Sequence, residues 1–211
     1  MLFERYRRAA SKGDAEACFQ VGRVLLRGKA VQLDAVAALQ WFLAAAKQGH
    51  AAGQAAAASC YDIGHGTPRN DAEAAFWYSA SANAGHPAGH YGIGTFLVQG
   101  RGVAPSDEQA LTHFRAAAEA GMAEAYNAMG QLILVGRGTA RSRADAMECL
   151  RRAAELGHGP SARLLGMLNE HPEPGELPNP QSAKKWYALA MKLGVADARL
   201  DLARVQSTYP S

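Results

Sequence analysis

The apolar residues of this chain follow a helical period that returns at a fixed interval. Between Asp14 and Gly28 they stand at i, i+4, i+7 and i+8, which is one face of an amphipathic helix: Ala17, Val21, Val24 and Leu25. Equivalent patterns cover about residues 50–64, 86–100, 122–136, 158–169 and 195–206. The hydrophobic pattern therefore predicts a chain built from repeated helices.

Glycines and capping residues mark the boundaries of these units. One set of glycines precedes each first helix at intervals of 36, 36, 36, 36 and 37 residues: Gly13, Gly49, Gly85, Gly121, Gly157 and Gly194. A second set closes four first helices, where left-handed backbone is expected: Gly28, Gly64, Gly100 and Gly136. The second helix of each unit follows a residue that can cap it: Asp34, Asn70, Ser106, Ser142 and Asn179. A period of this length indicates stacked helix pairs.

Large and small residues recur in register along the second helices. Aromatic pairs stand at Trp41 and Phe42, Trp77 and Tyr78, and Trp186 and Tyr187, with His113 and Phe114 in the third unit. Alanine pairs such as Ala45 and Ala46 follow them, so large side chains are expected to meet small ones across a close helix crossing. In the fourth unit Cys149 and Leu150 replace the aromatic pair, and looser packing is expected there.

The joint register of period, glycine and aromatic residues resembles the Sel-one-like repeat, a branch of the tetratricopeptide superfamily. ALQWFLAAAKQGHAAGQ (38–54) and EAAFWYSASANAGHPAGHYGIG (73–94) carry the resemblance most clearly. It implies an all-α fold: a right-handed α-solenoid superhelix of antiparallel helix pairs, in one domain over residues 1–211. The expected parts are a partial capping helix at 1–13, helix pairs at 14–48, 50–84, 86–120, 122–156 and 158–193, and a C-terminal capping helix and tail at 195–211.

Composition and charge narrow the class of partner. Hydrophobic residues make up 48% of the 211 residues and charged residues 19%, which is enough apolar surface for a packed core. The formal charge of +3 is only mildly basic, and no aromatic residues interleave with the basic ones, so nucleic acid is not expected as a partner. No apolar run is long enough for a membrane span. The sequence predicts a cytoplasmic protein, periplasmic or exported if an upstream leader has been removed.

Candidate reactive residues have structural explanations. His50, His86 and His158 each follow a repeat glycine, and stacked units hold such residues about 10 Å apart, too far to share a metal ion. They are expected to serve as turn and cap residues. The loops GHGTP, GRGVAP and GRGTAR follow helices and lack the lysine of a phosphate-binding loop. Cys60 and Cys149 are predicted as core thiols, and Cys18 stands at a variable position where exposure is expected. We therefore expect no metal, cofactor or catalysis.

The resemblance implies a scaffold or adaptor that binds a peptide or helix of a partner protein in its concave groove, as a monomer or weak oligomer. Family members commonly assemble proteins in bacterial signalling, envelope and secretion contexts, and the Ala-, Gly- and Arg-rich composition is compatible with a proteobacterial source. The first helices would line the groove with Gln20, Arg23, Arg27, Ser59, Tyr91, Thr95, Gln99, Tyr126 and Gln131. The simpler alternative is that these residues form only the wet side of amphipathic helices.

Two further surfaces each have two interpretations. Basic loop residues would form a mild positive rim, read either as solvated charge or as a surface for an acidic partner: Lys29, Arg69, Arg101, Arg137 and Arg141. The loop NEHPEPGELPNP (169–180) is longer than its counterparts and carries three glutamates, so it is either a binding element or a turn without function. An alternative function is therefore a hydrolase or small-ligand-binding protein that uses a cleft near this loop.

Overall fold

The computed structural model describes residues 2–28 and 31–210, and within these residues it contains twelve helices and no strand. The helices are α1 (Leu2–Ala10), α2 (Ala15–Arg27), α3 (Ala35–Ala46), α4 (Ala51–Ile63), α5 (Asp71–Asn83), α6 (Pro87–Gln99), α7 (Asp107–Glu119), α8 (Ala123–Val135), α9 (Arg143–Glu155), α10 (Gly159–Glu170), α11 (Pro180–Lys192) and α12 (Ala198–Thr208). The chain divides between Ala117 and Ala118 into two compact units, unit 1 and unit 2. The predicted all-α repeat fold is confirmed.

The predicted turn and cap residues are confirmed. All six repeat glycines have positive φ, between 76° and 95°. The four glycines that follow α2, α4, α6 and α8 end these helices in the left-handed conformation. At the start of α3, the Asp34 carboxylate accepts a 2.9 Å hydrogen bond from the Ala37 amide, and the other four predicted N-caps make equivalent bonds: Asn70, Ser106, Ser142 and Asn179. Local sequence therefore fixes where each helix begins and ends.

In the first and fifth repeats a large residue of the second helix packs on a glycine of the first helix in the same repeat. A Cβ atom added to Gly22 would lie 2.6 Å from the Phe42 ring, and one added to Gly166 would lie 2.5 Å from the Tyr187 ring. Tyr187 and Phe42 are almost fully buried. The predicted meeting of large and small residues is confirmed, although glycines of the first helix, which the sequence analysis did not single out, provide the small side.

Packing in the fourth repeat is not loose, contrary to the expectation from its missing aromatic pair. Leu150 is 0% exposed, and a Cβ atom added to Gly130 would lie 2.9 Å from its Cγ atom. The branched side chain thus occupies the position that rings fill in other repeats. Cys149, its neighbour, is only half-buried.

Two further expectations need correction. Cys18 is buried at 2% exposure, because α1 packs on α2 and places the Cys18 thiol 3.8 Å from the Ala10 carbonyl oxygen. The last helix begins at Ala198 and not near residue 195, because the Ala198 amide donates to the Val195 carbonyl and closes a turn first. Among the helices of the described residues, none combines the length and apolar character needed to cross a membrane.

Candidate functional site

A groove of about 260 Å³ lies between the first helices α2 and α4 in unit 1. Its apolar lining comes from Phe19, Leu26, Phe42, Ala56 and Ile63. Three predicted partner-binding residues, Arg23, Arg27 and Ser59, lie among its polar lining. The groove thus combines an apolar floor with hydrogen-bond donors, as binding sites for protein segments do.

A chain of hydrogen bonds connects α4 to the polar edge of this groove. The His50 Nδ1 atom accepts from the Gly53 amide at 2.9 Å, so Nε2 carries the proton and donates to Glu16 at 2.9 Å. Gln20 donates to Glu16 at 2.6 Å and accepts from Arg23 at 3.2 Å. The hydrogen bonds that Glu16 accepts lower its pKa, and the bond from Gln20 has a larger effect than the bond from His50. The Arg23 guanidinium also lies 5.5 Å from the centre of the Phe19 ring, so its direction is held from two sides.

Three predicted partner-binding residues lie on α6, outside the lining of the α2–α4 groove. The Thr95 hydroxyl donates to the Tyr91 carbonyl oxygen at 2.9 Å, and the Tyr91 ring centre lies 5.8 Å from that of Phe114. Gln99 is exposed and accepts a long 3.4 Å hydrogen bond from Arg101. These three residues therefore lie on a second face of unit 1, apart from the α2–α4 groove.

Two predicted partner-binding residues lie on α8, in unit 2. Gln131 is exposed and donates to Asn127 at 3.3 Å, and Tyr126 is half-buried. Asn127 also accepts from the Ser161 hydroxyl at 2.9 Å. Of the two predicted residues on this helix, Gln131 is therefore the more exposed.

Three arginines of the predicted rim form hydrogen bonds with carboxylates. Arg101 donates to Asp62 and Asp71, both at 2.6 Å, and its guanidinium lies 4.3 Å from the centre of the Phe96 ring. Arg69 binds the same Asp71 carboxylate at 2.9 Å and 3.0 Å. These two arginines, Arg101 first, hold the pKa of Asp71 well below its ordinary value. Much of the positive charge is thus balanced locally.

Two further residues of the predicted rim lie in unit 2. Arg141 in unit 2 pairs with Glu173 and donates to the Leu134 carbonyl oxygen at 3.0 Å. Arg137 is exposed. Lys29 lies outside the described residues. The charges of Arg69, Arg101 and Arg141 are therefore each paired with an acidic side chain.

The three histidines that follow repeat glycines stand at helix N-termini, as predicted. His50 and His158 accept from the amides of Gly53 and Ser161, at 2.9 Å and 3.2 Å. His86 occupies the same position without a side-chain cap bond, and its buried Nδ1 atom has no partner. Within residues 2–28 and 31–210 no three or more His, Cys, Asp or Glu side chains gather in the manner of a metal site.

The acidic residues of the 169–180 loop make ion pairs within unit 2. Glu170 is buried at 7% exposure, accepts from the Tyr187 hydroxyl at 2.7 Å, and binds Arg204 at 2.8 Å and 3.0 Å. Hydrogen bonding from Arg204 lowers the pKa of Glu170. Glu173 pairs with Arg141, and Glu176 lies 3.8 Å from Arg143. A carboxylate whose pKa is lowered by arginine is a poor general acid, so Glu170 is not suited to that role.

The sequence analysis missed the apolar residues that form the groove floor. Phe19 and Leu26 stand at i and i+7 on α2, a second apolar stripe beside the one that packs in the core. That spacing could have identified them. Ile63, which is 59% exposed at the end of α4, has no comparable signal.

The partly buried histidines predict loss of stability in mild acid. Burial is the main cause that lowers the pKa of His86, His90, His113 and His158. Below about pH 6.5, their ordinary pKa, the unfolded chain therefore binds more protons than the folded one. We expect the melting temperature to be constant above that pH and to fall as the pH drops below it. Thermal melts across this range test the prediction, and an unchanged or rising melting temperature would contradict it.

Paired helices whose contact residues recur every 36 or 37 residues define a helical repeat protein, with first helices that leave a groove on the surface. The sequence profile of the Sel1 repeat matches residues 15–50, 51–86, 87–122, 123–158 and 159–195. The chain belongs to the Sel1 repeat family, whose members generally act as protein–protein interaction modules.

Solved structures show the same fold. A protective antigen of uropathogenic Escherichia coli with this fold is 28% identical, with a TM-score of 0.86 over 99% of this chain and 45% of that one. The chain thus spans less than half the length of that protein. A Sel1 repeat protein from Oxalobacter formigenes is also 28% identical, with a TM-score of 0.84 over 93% and 78%. An immunity protein from Pseudomonas aeruginosa, 18% identical with a TM-score of 0.60 over 99% and 79%, shares the fold alone. No curated protein sequence matches the chain.

Proposed function

We propose that this protein is a non-catalytic adaptor that holds a helix or extended segment of a partner protein in the α2–α4 groove. The observation that carries the proposal is the groove itself, with Phe19, Leu26 and Ile63 available to an apolar side chain and Arg23 and Arg27 at its polar edge. Anchors of this kind account for most of the affinity in helix-in-groove recognition. The general role of Sel1 repeats in protein interaction agrees with it.

The chemistry of the groove favours a partner segment with acidic side chains beside its apolar anchor. Arg23 donates to Gln20 and lies over the Phe19 ring, and it also interacts electrostatically with Glu16, whose pKa it helps to lower. A partner carboxylate would add a charge-assisted hydrogen bond to this oriented guanidinium. The exposed Gln131 on α8 and the Tyr91, Thr95 and Gln99 face on α6 are proposed as additional contacts. We also propose that the protein is a monomer or associates weakly, that it acts in the cytoplasm, and that its source is bacterial.

A retention experiment tests the proposed function. Immobilised protein is expected to retain a defined partner from an extract of the source cell, and Arg23→Glu is expected to weaken binding about tenfold or more by reversing the charge at the groove edge. Gln131→Glu tests the contribution of α8 separately. Arg115→Glu, on an exposed part of α7, provides the matched control and is expected to bind normally.

Two outcomes would contradict the proposal. One is retention that is equally affected by Arg23→Glu and Arg115→Glu, because the contact would then be non-specific charge attraction. The other is turnover of an ester or glycan panel by a chain that retains no protein, which would favour the hydrolase that the 169–180 loop suggested. Circular dichroism of each variant establishes that the helices are intact.

A further inference from the structure

Two histidine rings face each other between α6 and α7 in unit 1. The Nδ1 atoms of His90 and His113 are 3.0 Å apart, and the ring centres are 5.3 Å apart at an angle of 40°. Both side chains are half-buried, so the pair is held by its helices and can still be reached from solvent. We propose that His90 and His113 form a two-histidine site for a transition-metal ion of the Zn²⁺ class.

The spacing of the two nitrogens is close to that of a metal chelate. Ligand nitrogens at 2.0–2.1 Å from a tetrahedral Zn²⁺ ion are about 3.3 Å apart. The observed Nδ1–Nδ1 distance of 3.0 Å needs only a few tenths of an ångström of ring movement to match it. Water or a side chain from another molecule would fill the remaining positions, because no described His, Cys, Asp or Glu joins the pair to make a group of three.

The two histidines can bind a metal ion without a net release of protons. A hydrogen bond between two Nδ1 atoms requires one ring with its proton on Nδ1 and one with its proton on Nε2. Binding requires both protons on Nε2, so one proton moves between the nitrogens of a single ring. Burial lowers the pKa of both histidines, which keeps them neutral and able to coordinate at neutral pH.

The repeat register shows that this pairing is particular to the third repeat. One repeat earlier the equivalent positions carry Gln54 and Trp77, and in the first repeat Cys18 and Trp41. Gln54 and Trp77 each leave a buried polar atom without a hydrogen-bond partner, which shows how poorly that pair satisfies the same contact. Replacement of the bulky indole by an imidazole is what brings two ligand nitrogens together.

Calorimetric titration of the metal-free full chain with Zn²⁺ at about pH 7.5, above the ordinary histidine pKa, tests the site. We expect one equivalent to bind, and Mg²⁺, which prefers oxygen ligands, to give no signal. His90→Gln and His113→Gln should each weaken Zn²⁺ binding on the order of 100-fold, since loss of even an outer-shell partner costs 10–100-fold. His65→Gln, at an exposed histidine of the α4–α5 loop, should leave binding unchanged.

Nitrogen-15 spectra of the imidazole rings give a second measurement that needs no variant. We expect Zn²⁺ to move the Nδ1 resonances of His90 and His113 together and to leave that of His65 in place. Absence of Zn²⁺ binding, unmoved Nδ1 resonances, or equal binding by the His90→Gln/His113→Gln double variant would overturn the proposal. Equal binding in that double variant would place the ion elsewhere in the chain.

Discussion

Gly102→Ala is expected to destabilise the protein by about 3 kcal/mol or more. Gly102 has a φ of +65°, where a residue with a Cβ atom costs roughly 1–2 kcal/mol. Its Cβ atom would also lie 2.2 Å from the carbonyl oxygen of Asp71, and overpacking of this kind adds typically 1–3 kcal/mol. Because the obstacle is backbone at the start of α5, it cannot move aside as a side chain can. Urea unfolding of the variant measures the effect.

Gly85→Ala separates the two causes of that loss. Gly85 has a similar φ of +76°, but a Cβ atom added there meets nothing within 4 Å. It should therefore cost only the backbone term, about 1–2 kcal/mol. Gly66, whose added Cβ would lie 2.2 Å from the Ala35 carbonyl oxygen, should behave as Gly102 does. If Gly102→Ala is no more harmful than Gly85→Ala, the close approach of Gly102 to the Asp71 backbone does not contribute to stability.

Glu170→Ala is expected to cost about 3 kcal/mol, the scale of leaving a buried hydrogen-bond donor unsatisfied and losing a hydrogen bond to a charged group. The substitution leaves the Tyr187 hydroxyl, whose residue is 0% exposed, without its acceptor, and removes both hydrogen bonds from Arg204. The Tyr187 hydroxyl is then a buried hydrogen-bond donor without an acceptor. Urea unfolding followed by tryptophan fluorescence, to which the adjacent Trp186 contributes, measures the change.

Glu173→Ala is the matched control, since it removes the same side chain three residues further along. Glu173 pairs with the more exposed Arg141, and an ion pair of that kind is worth at most about 1 kcal/mol. A large loss in Glu173→Ala with none in Glu170→Ala would contradict the assignment of Glu170 as a structural carboxylate. It would also return the 169–180 loop to consideration as a functional element.

The repeat fold could be predicted from sequence because its determinants are local. The positive φ of Gly49 and the capping bond of Asp34 depend on a few neighbouring residues, and the 36-residue period carries them from one repeat to the next. The burial of Cys18 was missed because the residue type at its repeat position varies. The position itself is buried where a second helix covers the next first helix: the Cys18 thiol lies 3.8 Å from the carbonyl oxygen of α1 residue Ala10, and the equivalent Gln54 amide lies 3.2 Å from a carbonyl oxygen of α3.

The candidate site could be predicted only in part, because its contacts cross between repeats. The period indicates which positions are equivalent, but it does not give the offset between stacked units. Arg101 was therefore read as open positive charge, whereas it binds Asp71, 30 residues earlier in the chain. The His90 and His113 pair lies within one repeat and was missed for a different reason: each histidine replaces a residue of a different type at its repeat position, and neither belongs to a recognisable motif.

Hydrogen exchange of the protein with and without its retained partner tests the central claim most directly. The central claim is that recurrent residues join stacked helices and that the α2–α4 groove is left to bind another protein. It predicts that the partner slows exchange in α2 and α4, most strongly around Arg23 and Ser59, and leaves the 169–180 loop unchanged. Protection confined to that loop, with α2 and α4 unaffected, would contradict it.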